Sequence, residues 1–365
     1  MAKQVKVGNV LIGGGRAVII AGPCSVEPGY LTVAEQTADA GADILRAFVY
    51  KHRTSPHSFQ GMGSEGIKLV REAKRRTGLP VVIEPLSTKH VEELSDVADA
   101  FQIGSRGMQN VELLRAVGEL GIPVILKRGL ASTYDEWLSA AQYIEVGGNS
   151  QIILCERGIR TFETGTRNTL DLAAVPYLRT VCDYPIIVDP SHAAGQRDLV
   201  PALAEAGLAI GADGIEVEAH TSPDDALSDA AQTITMEDLA IICSRRDWYW
   251  AQSSDRPHSL EESRYLIDAI DSALIKLVES RISVSRSLKT IKEVAGLSIH
   301  QPEREGEVIS AWLERGRFEN SVHARKVAES IVRMCREVQQ PEAVRQATYN
   351  SSPMEPIARG NVLES

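Results

Sequence analysis

Short apolar runs recur along the chain at near-regular intervals. They read AVIIA (17–21), DILRAFV (43–49), PVVIEP (80–85), AFQIG (100–104), PVILKRG (123–129), QIILCERG (151–158), YPIIVDPSH (184–192) and DGIEVEAH (213–220). They are rich in Val and Ile and nearly continuous, not alternating, which predicts strands covered on both faces. Between them lie stretches of helical period, such as SEGIKLVREAKRR, NVELLRAVGEL and YDEWLSAAQYIEV. Eight strand–helix units in roughly 230 residues predict an α/β fold, a closed (β/α)8 barrel over residues 1–246. An open doubly wound sheet is the alternative. Upstream, VKVGNVLIGGG alternates and then turns on glycines, predicting a short N-terminal hairpin that plugs the barrel floor.

The pattern changes after CSRRDWYWAQSSDRPHSLEE (243–262). Residues 247–258 read as a polar linker. From 259 to 340 the period is helical throughout, predicting an all-α, three-helix domain. SLEE has the form of a capping box, with Ser259 as N-cap and Glu262 three residues on. Leu266, Ile270, Leu274, Leu277, Val278, Ile282, Val284 and Leu288 keep helical spacing with no breaker before Gly296. That is one helix of about 35 residues, about 50 Å long. It is too long to bury its stripe against two short partners, so an intertwined homodimer or larger assembly is expected. Residues 341–365 have little period and read as disordered.

Composition narrows the function. A formal net charge of −10 over 365 residues argues against nucleic acid or an anionic membrane as partner. The N-terminal MAKQVKVGNV has no apolar core of a signal peptide, and no run approaches membrane-spanning length. The five cysteines are scattered and contain no C-x-x-C, which suits free thiols in a reducing cytoplasm.

In a barrel of this kind the site lies where the strands end. The first run delivers Cys24. The second carries Arg46 and leads to Lys51, Arg53, Thr54 and Ser55. Glu84 ends the third and Arg106 follows the fourth. Lys127 and Arg128 end the fifth, Glu156 and Arg157 the sixth. Asp189 and His192 follow the seventh, Glu218 and His220 the eighth. A single charge at a strand end is ordinary; a charge or thiol at every one predicts a site. The cations Arg46, Lys51, Arg53, Arg106, Lys127 and Arg157 suit phosphate and carboxylate ligands held through forked hydrogen bonds. Cys24, His192 and Glu218, with Asp229 from ALSDAAQ, offer sulfur, nitrogen and oxygen to one divalent transition metal. That mixture permits Mn, Fe, Co or Zn and does not select Mg.

The motifs AGPCSVE, KHRTSPHSFQG, QIGSRGMQN, LKRG, ILCERGIRTFE, DPSHAAGQRDLV and VEAHTSPDDALSDAAQ, in this order over residues 17–245, resemble the type I-beta 3-deoxy-D-arabino-heptulosonate 7-phosphate (DAHP) synthases. The resemblance implies a (β/α)8 barrel that condenses phosphoenolpyruvate with erythrose 4-phosphate, the entry step of the shikimate pathway to the aromatic amino acids. It implies Cys24, His192, Glu218 and Asp229 as metal ligands. Arg106, Lys127 and Arg157 hold phosphoenolpyruvate, with Arg46 and Lys51 nearby, and Arg53, Thr54 and Ser55 meet the sugar phosphate. Lys51, Lys127 and His192 are the catalytic candidates; Lys51, Glu84 and His192 are placed to handle the proton of the attacking water. Two departures stand out. The family's KPRTS has His52 in place of Pro, and its GARN reads Gly104-Ser105-Arg106-Gly107. These leave open an aldose phosphate other than erythrose 4-phosphate.

The second domain resembles the all-helical chorismate mutases. SRYLIDAIDSALIKLVESRISVSRSLKTIK supplies Arg264, Arg281 and Lys292, and HQPEREGEVI supplies Arg304 and Glu305. The resemblance implies cations that grip the dianion chorismate while it rearranges to prephenate. Arg281 and Lys292 share one helix face, and Arg264 points about 100° away, so it would enter a site of the other protomer. The family's Asp in DxxRE is Gln301 here, and REVQQPE offers Gln339 or Gln340 as the polar residue of the last helix. The alternative is a non-catalytic module that dimerises the chain or senses a pathway product.

Overall fold

Each of the eight runs forms a strand, usually shorter than the run. In the computed structural model, which describes residues 3–51, 55, 57–251, 260–315 and 320–340, the strands are β3 (Val18–Gly22), β4 (Ile44–Arg46), β5 (Val81–Ile83), β6 (Ala100–Ile103), β7 (Val124–Lys127), β8 (Ile152–Glu156), β9 (Ile186–Val188) and β10 (Gly214–Glu218). They pair in parallel in the order β10-β3-β4-β5-β6-β7-β8-β9 and close a barrel. Ahead of them β1 (Val5–Val7) and β2 (Val10–Ile12) form an antiparallel hairpin. Its Val5, Val7 and Ile12 are buried with the inward-facing Val18, Ile20, Ile125, Ile153 and Ile187, so apolar side chains seal the barrel floor.

The helices of the barrel unit are α1 (Tyr30–Asp39), α2 (Gly63–Thr77), α3 (Thr88–Leu94), α4 (Val111–Glu119), α5 (Tyr134–Val146), α6 (Ala174–Val181), α7 (Pro190–Ala194), α8 (Val200–Ala209) and α9 (Met236–Ala251). Outward residues of the strands, such as Leu45, Ile83, Leu126, Leu154, Val188 and Val217, pack against them. Starts are written locally. Thr133 and Glu136 make a reciprocal capping box on α5. The seventh run does not continue as a strand to His192. Asp189 caps α7 by accepting from His192 N, and Pro190 occupies its first turn, where a missing N–H costs nothing. His192 therefore sits on a short helix above the strand.

Beyond the barrel come α10 (Leu260–Val294), α11 (Pro302–Arg315) and α12 (Ser321–Glu337), the expected three helices. α10 has 35 residues, and Gly296, at φ 65°, turns the chain after it. Asn320 caps α12 by accepting from Val322 N and His323 N. The division between the units falls between Ile270 and Asp271, inside α10. Residues 252–258 of the expected linker, the capping Ser259 and the tail 341–365 lie outside the described residues. Among the described residues no helix is long and apolar enough to cross a membrane.

Candidate active site

β3 ends at Gly22, against which the second strand packs closely. A Cβ there would stand 2.5 Å from the Arg46 carbonyl oxygen. The chain then turns through Pro23 and presents Cys24. Its thiol donates to Asp229 Oδ2 over 2.9 Å and accepts from Lys51 Nζ at 2.5 Å. Donor atoms of Cys24, Glu218 and Asp229 all lie within 4.8 Å of one another. His192 Nε2 is 3.5 Å from Glu218 Oε1, while its Nδ1 lies 2.7 Å from Asp189 Oδ2 without hydrogen-bond alignment. Asp229 has φ 51°, the only non-glycine residue with positive φ among those described. Such strain persists where surrounding structure imposes it, and it gathers at functional sites.

These residues suit a divalent transition ion. Cys24, Glu218 and Asp229 have the spacing of ligands about 2.0–2.3 Å from a shared centre; His192, expected as the fourth, is not in that group and stands beside it, its Nε2 next to Glu218. Glu218 Oε1 is buried and has no aligned hydrogen bond. Burial, then the Glu218 charge, push the Cys24 thiol up, so it keeps its proton until an ion displaces it. Burial pulls the His192 imidazole down, toward the neutral form that ligates. Burial works against the charge of Asp229, but Lys51 and the Cys24 thiol outweigh it and hold the carboxyl below its usual range.

Above this cradle opens a cavity of about 320 Å³. Its lining includes Arg46, Lys51, Ser55, Glu84, Arg106, Lys127, Arg157, His192 and Asp229. Arg157 donates only to the Gly158 and His192 carbonyls, and burial lowers its guanidinium. Among the described residues no carboxylate lies within ion-pair distance of Arg106 or Arg157. Burial opposes the charge of Lys127, yet Asp189 and Glu216 raise its ammonium. For Arg46, Glu218 and Glu216 do the same.

Other candidates are placed elsewhere. Arg128 pairs with Glu156 and Asp171, and the buried Glu156 also accepts from Gly158 N; neither lines the cavity. His220 Nε2 lies 3.1 Å from Glu27, away from the lining. Arg53, Thr54 and the substituted His52 lie outside the described residues. Two further arginines, Arg160 and Arg167, line the cavity. They sit in the long segment after β8, beyond the reach of a search confined to strand ends.

The helical unit carries its own cavity, of about 230 Å³, lined by Arg281, Lys292, Gln301, Arg304, Glu305 and Gln339, among others. Of the two candidate glutamines, Gln339 is the one that lines it, and its Oε1 is buried without a hydrogen bond. Arg281 Nη1 donates to Cys335 Sγ over 2.6 Å. Arg336, unanticipated, pairs with Glu305 at 3.0 Å. Arg264 does not line this cavity.

A (β/α)8 barrel whose strand ends carry a thiol–carboxylate ion cradle under a ring of cations defines an enzyme for multiply anionic, phosphorylated substrates. The comparisons agree on which: a model of the DAHP synthetase I family matches residues 2–250, and one of chorismate mutase type II matches residues 263–340. The chain belongs to the DAHP synthetase I family and carries a chorismate mutase domain, the makeup of a bifunctional enzyme of the shikimate pathway. It is 48% identical over 235 residues to a phospho-2-dehydro-3-deoxyheptonate aldolase of Thermotoga maritima, covering 64% of this chain and 70% of that protein. It is 32% identical over 268 residues to a 2-dehydro-3-deoxyphosphooctonate aldolase of Geotalea uraniireducens, covering 67% and 97%. The crystal structure of the Thermotoga maritima DAHP synthase superposes with a TM-score of 0.64 at 47% identity, over 66% of this chain and 72% of that one.

Proposed function

We propose that the barrel joins phosphoenolpyruvate to erythrose 4-phosphate, giving DAHP and inorganic phosphate. The observation that carries this is the Cys24–Glu218–Asp229 group, whose Asp229 lines the cavity, beside Arg106 and Arg157 of the same lining, which among the described residues have no carboxylate within ion-pair distance. Cys24, His192, Glu218 and Asp229 hold one divalent transition ion, Mn, Fe, Co or Zn. When bound, the ion supplies Lewis acidity toward the aldehyde. Arg106, Lys127 and Arg157 bind the phosphate and carboxylate of phosphoenolpyruvate, with Arg46 beneath. Ser55, with Arg53 and Thr54, receives the sugar phosphate. Fixed cations overcome the repulsion between two anionic substrates and align them. C3 of phosphoenolpyruvate bonds to the aldehyde carbon, water adds at C2, and the C2–O bond to phosphate breaks. Lys51 holds a proton beside the reacting oxygen, since Cys24, Glu218 and Asp229 raise its ammonium against the effect of burial. Glu84 and His192 are the other groups placed to take the proton of water.

The helical unit converts chorismate to prephenate. Arg281, Lys292, Arg304, Glu305 and Gln339 grip the dianion, and Arg264 comes from a second copy of the chain. The enzyme works in the cytoplasm. The deciding assay is phosphate release from phosphoenolpyruvate and erythrose 4-phosphate, with and without chelator. Turnover that survives complete chelation removes the ion from the reaction. The match to a phosphooctonate aldolase, together with His52 and Gly107, motivates arabinose 5-phosphate as a second aldose, which a panel of aldose phosphates separates. Gln301 motivates a purely regulatory helical unit; absence of chorismate turnover in the wild type would favour that reading.

A further inference from the structure

The inner wall of the barrel changes character toward the strand ends. Above the apolar layer over the hairpin, Arg46, Gln102, Lys127 and Glu216 face inward, all of them buried. Ile215 and Val217 of β10 pack outward among the helices, so alternation puts Glu216 on the inner side with Glu218. Arg46, Gln102 and Lys127 line the substrate cavity, but Glu216 does not. It lies beneath them and touches all three. Arg46 Nε donates to its Oε1 over 2.9 Å and Lys127 Nζ to the same oxygen over 3.1 Å. With its amide nitrogen facing the carboxylate, Gln102 donates over 2.8 Å to Oε2 and 3.0 Å to Oε1.

A carboxylate at this depth is costly by itself and is sustained here by the two buried cations it pairs with. An apolar residue could not aim two cations. Arg46 Nη1 also lies 3.2 Å from Glu218 Oε1, and Lys127 also donates to Asp189. Without Glu216 the nearest anions for these cations are Glu218, the ion ligand, and Asp189, which adjoins His192. Cys155, Asp189 and Glu216 are themselves close enough to suggest an ion site. The Lys127 ammonium already bridges those two carboxylates, so the cluster serves a lysine.

We propose that Glu216 is a positioning residue that aims Arg46 and Lys127 at phosphoenolpyruvate, holding the Nε side of Arg46 while Nη1 stays paired with Glu218. This rests on the synthase reading above. The test compares Glu216→Gln and Glu216→Met with wild type in the full-length protein, measuring KM for each substrate, kcat, and phosphoenolpyruvate binding by calorimetry. Both variants are expected to raise the phosphoenolpyruvate KM by about 10- to 100-fold, with the erythrose 4-phosphate KM unchanged. Glu216→Asp should restore part of the loss. An unchanged phosphoenolpyruvate KM overturns the role, as does a fall in kcat that only tracks the folded fraction. Failure of both variants to fold, judged by circular dichroism, assigns Glu216 to folding and overturns it too. A wild type that does not consume phosphoenolpyruvate overturns the synthase reading itself, whereas an active wild type matched by its variants overturns only the positioning role.

Discussion

Asp229 pairs a strained backbone with a carboxylate that Lys51 and Cys24 hold in place. A Cβ at φ 51° is disfavoured, so the strain and the carboxylate can be separated by substitution. Asp229→Gly and Asp229→Ala both remove the ligand, but only Gly accepts the dihedral freely. Urea unfolding in chelator should find Asp229→Gly more stable than Asp229→Ala by about 1 kcal/mol. Both should lose tight ion binding and phosphate release. Equal stability would mean that the strain is not carried by this residue. Asp229 follows no strand directly, and in the sequence it stands out only as a further carboxylate to complete the Cys24, His192 and Glu218 set, a role the family motif reinforces. Cys24, Lys127 and Glu218 were readable from position alone, because an inward residue at the end of an apolar run has nowhere else to point. Glu216 was not, because a carboxylate inside such a run looks like a break in the pattern until its partners from three other strands are known.

The barrel's strands and most helices could be read from periodicity because burial on both faces leaves continuous apolar runs. α7 could not, since Pro190 and the Asp189 cap end the strand within an unbroken-looking segment. Packing between elements was equally hidden. α4 and α5 approach so closely that a Cβ on Gly118 would stand 2.6 Å from the Ile144 carbonyl oxygen. The obstacle is backbone, which cannot rotate aside. Gly118→Ala should therefore cost about 1 to 3 kcal/mol, outweighing the better helix propensity of Ala. The check is a thermal melt followed by circular dichroism. A melting temperature at or above wild type would mean that the two helices can slide apart at no cost. Because this contact lies on the outside of the barrel, KM values of the surviving enzyme should stay at wild-type levels.

The proposed assembly of two chains would run through α10. Ile267, Leu274, Ile275, Val284 and Ile291 are all more than half exposed along this helix, more apolar surface than a solvated helix carries without a partner. Arg264 stands seventeen positions before Arg281, so about 25 Å separates them along the axis, and one chain cannot bring both to one ligand. A second copy can, by laying its α10 alongside. Mixing distinguishes this from a monomeric site. Arg264→Ala and Arg281→Ala should each abolish prephenate formation alone, while phosphate release by the barrel persists. In a mixed dimer one site keeps Arg281 from its own chain and Arg264 from the other, while the second site loses both. Coexpressed in equal amounts, with subunits pairing at random, the variants should regain about a quarter of wild-type mutase activity. No recovery, with mixed dimers demonstrated by mass spectrometry, would place Arg264 outside the mutase site.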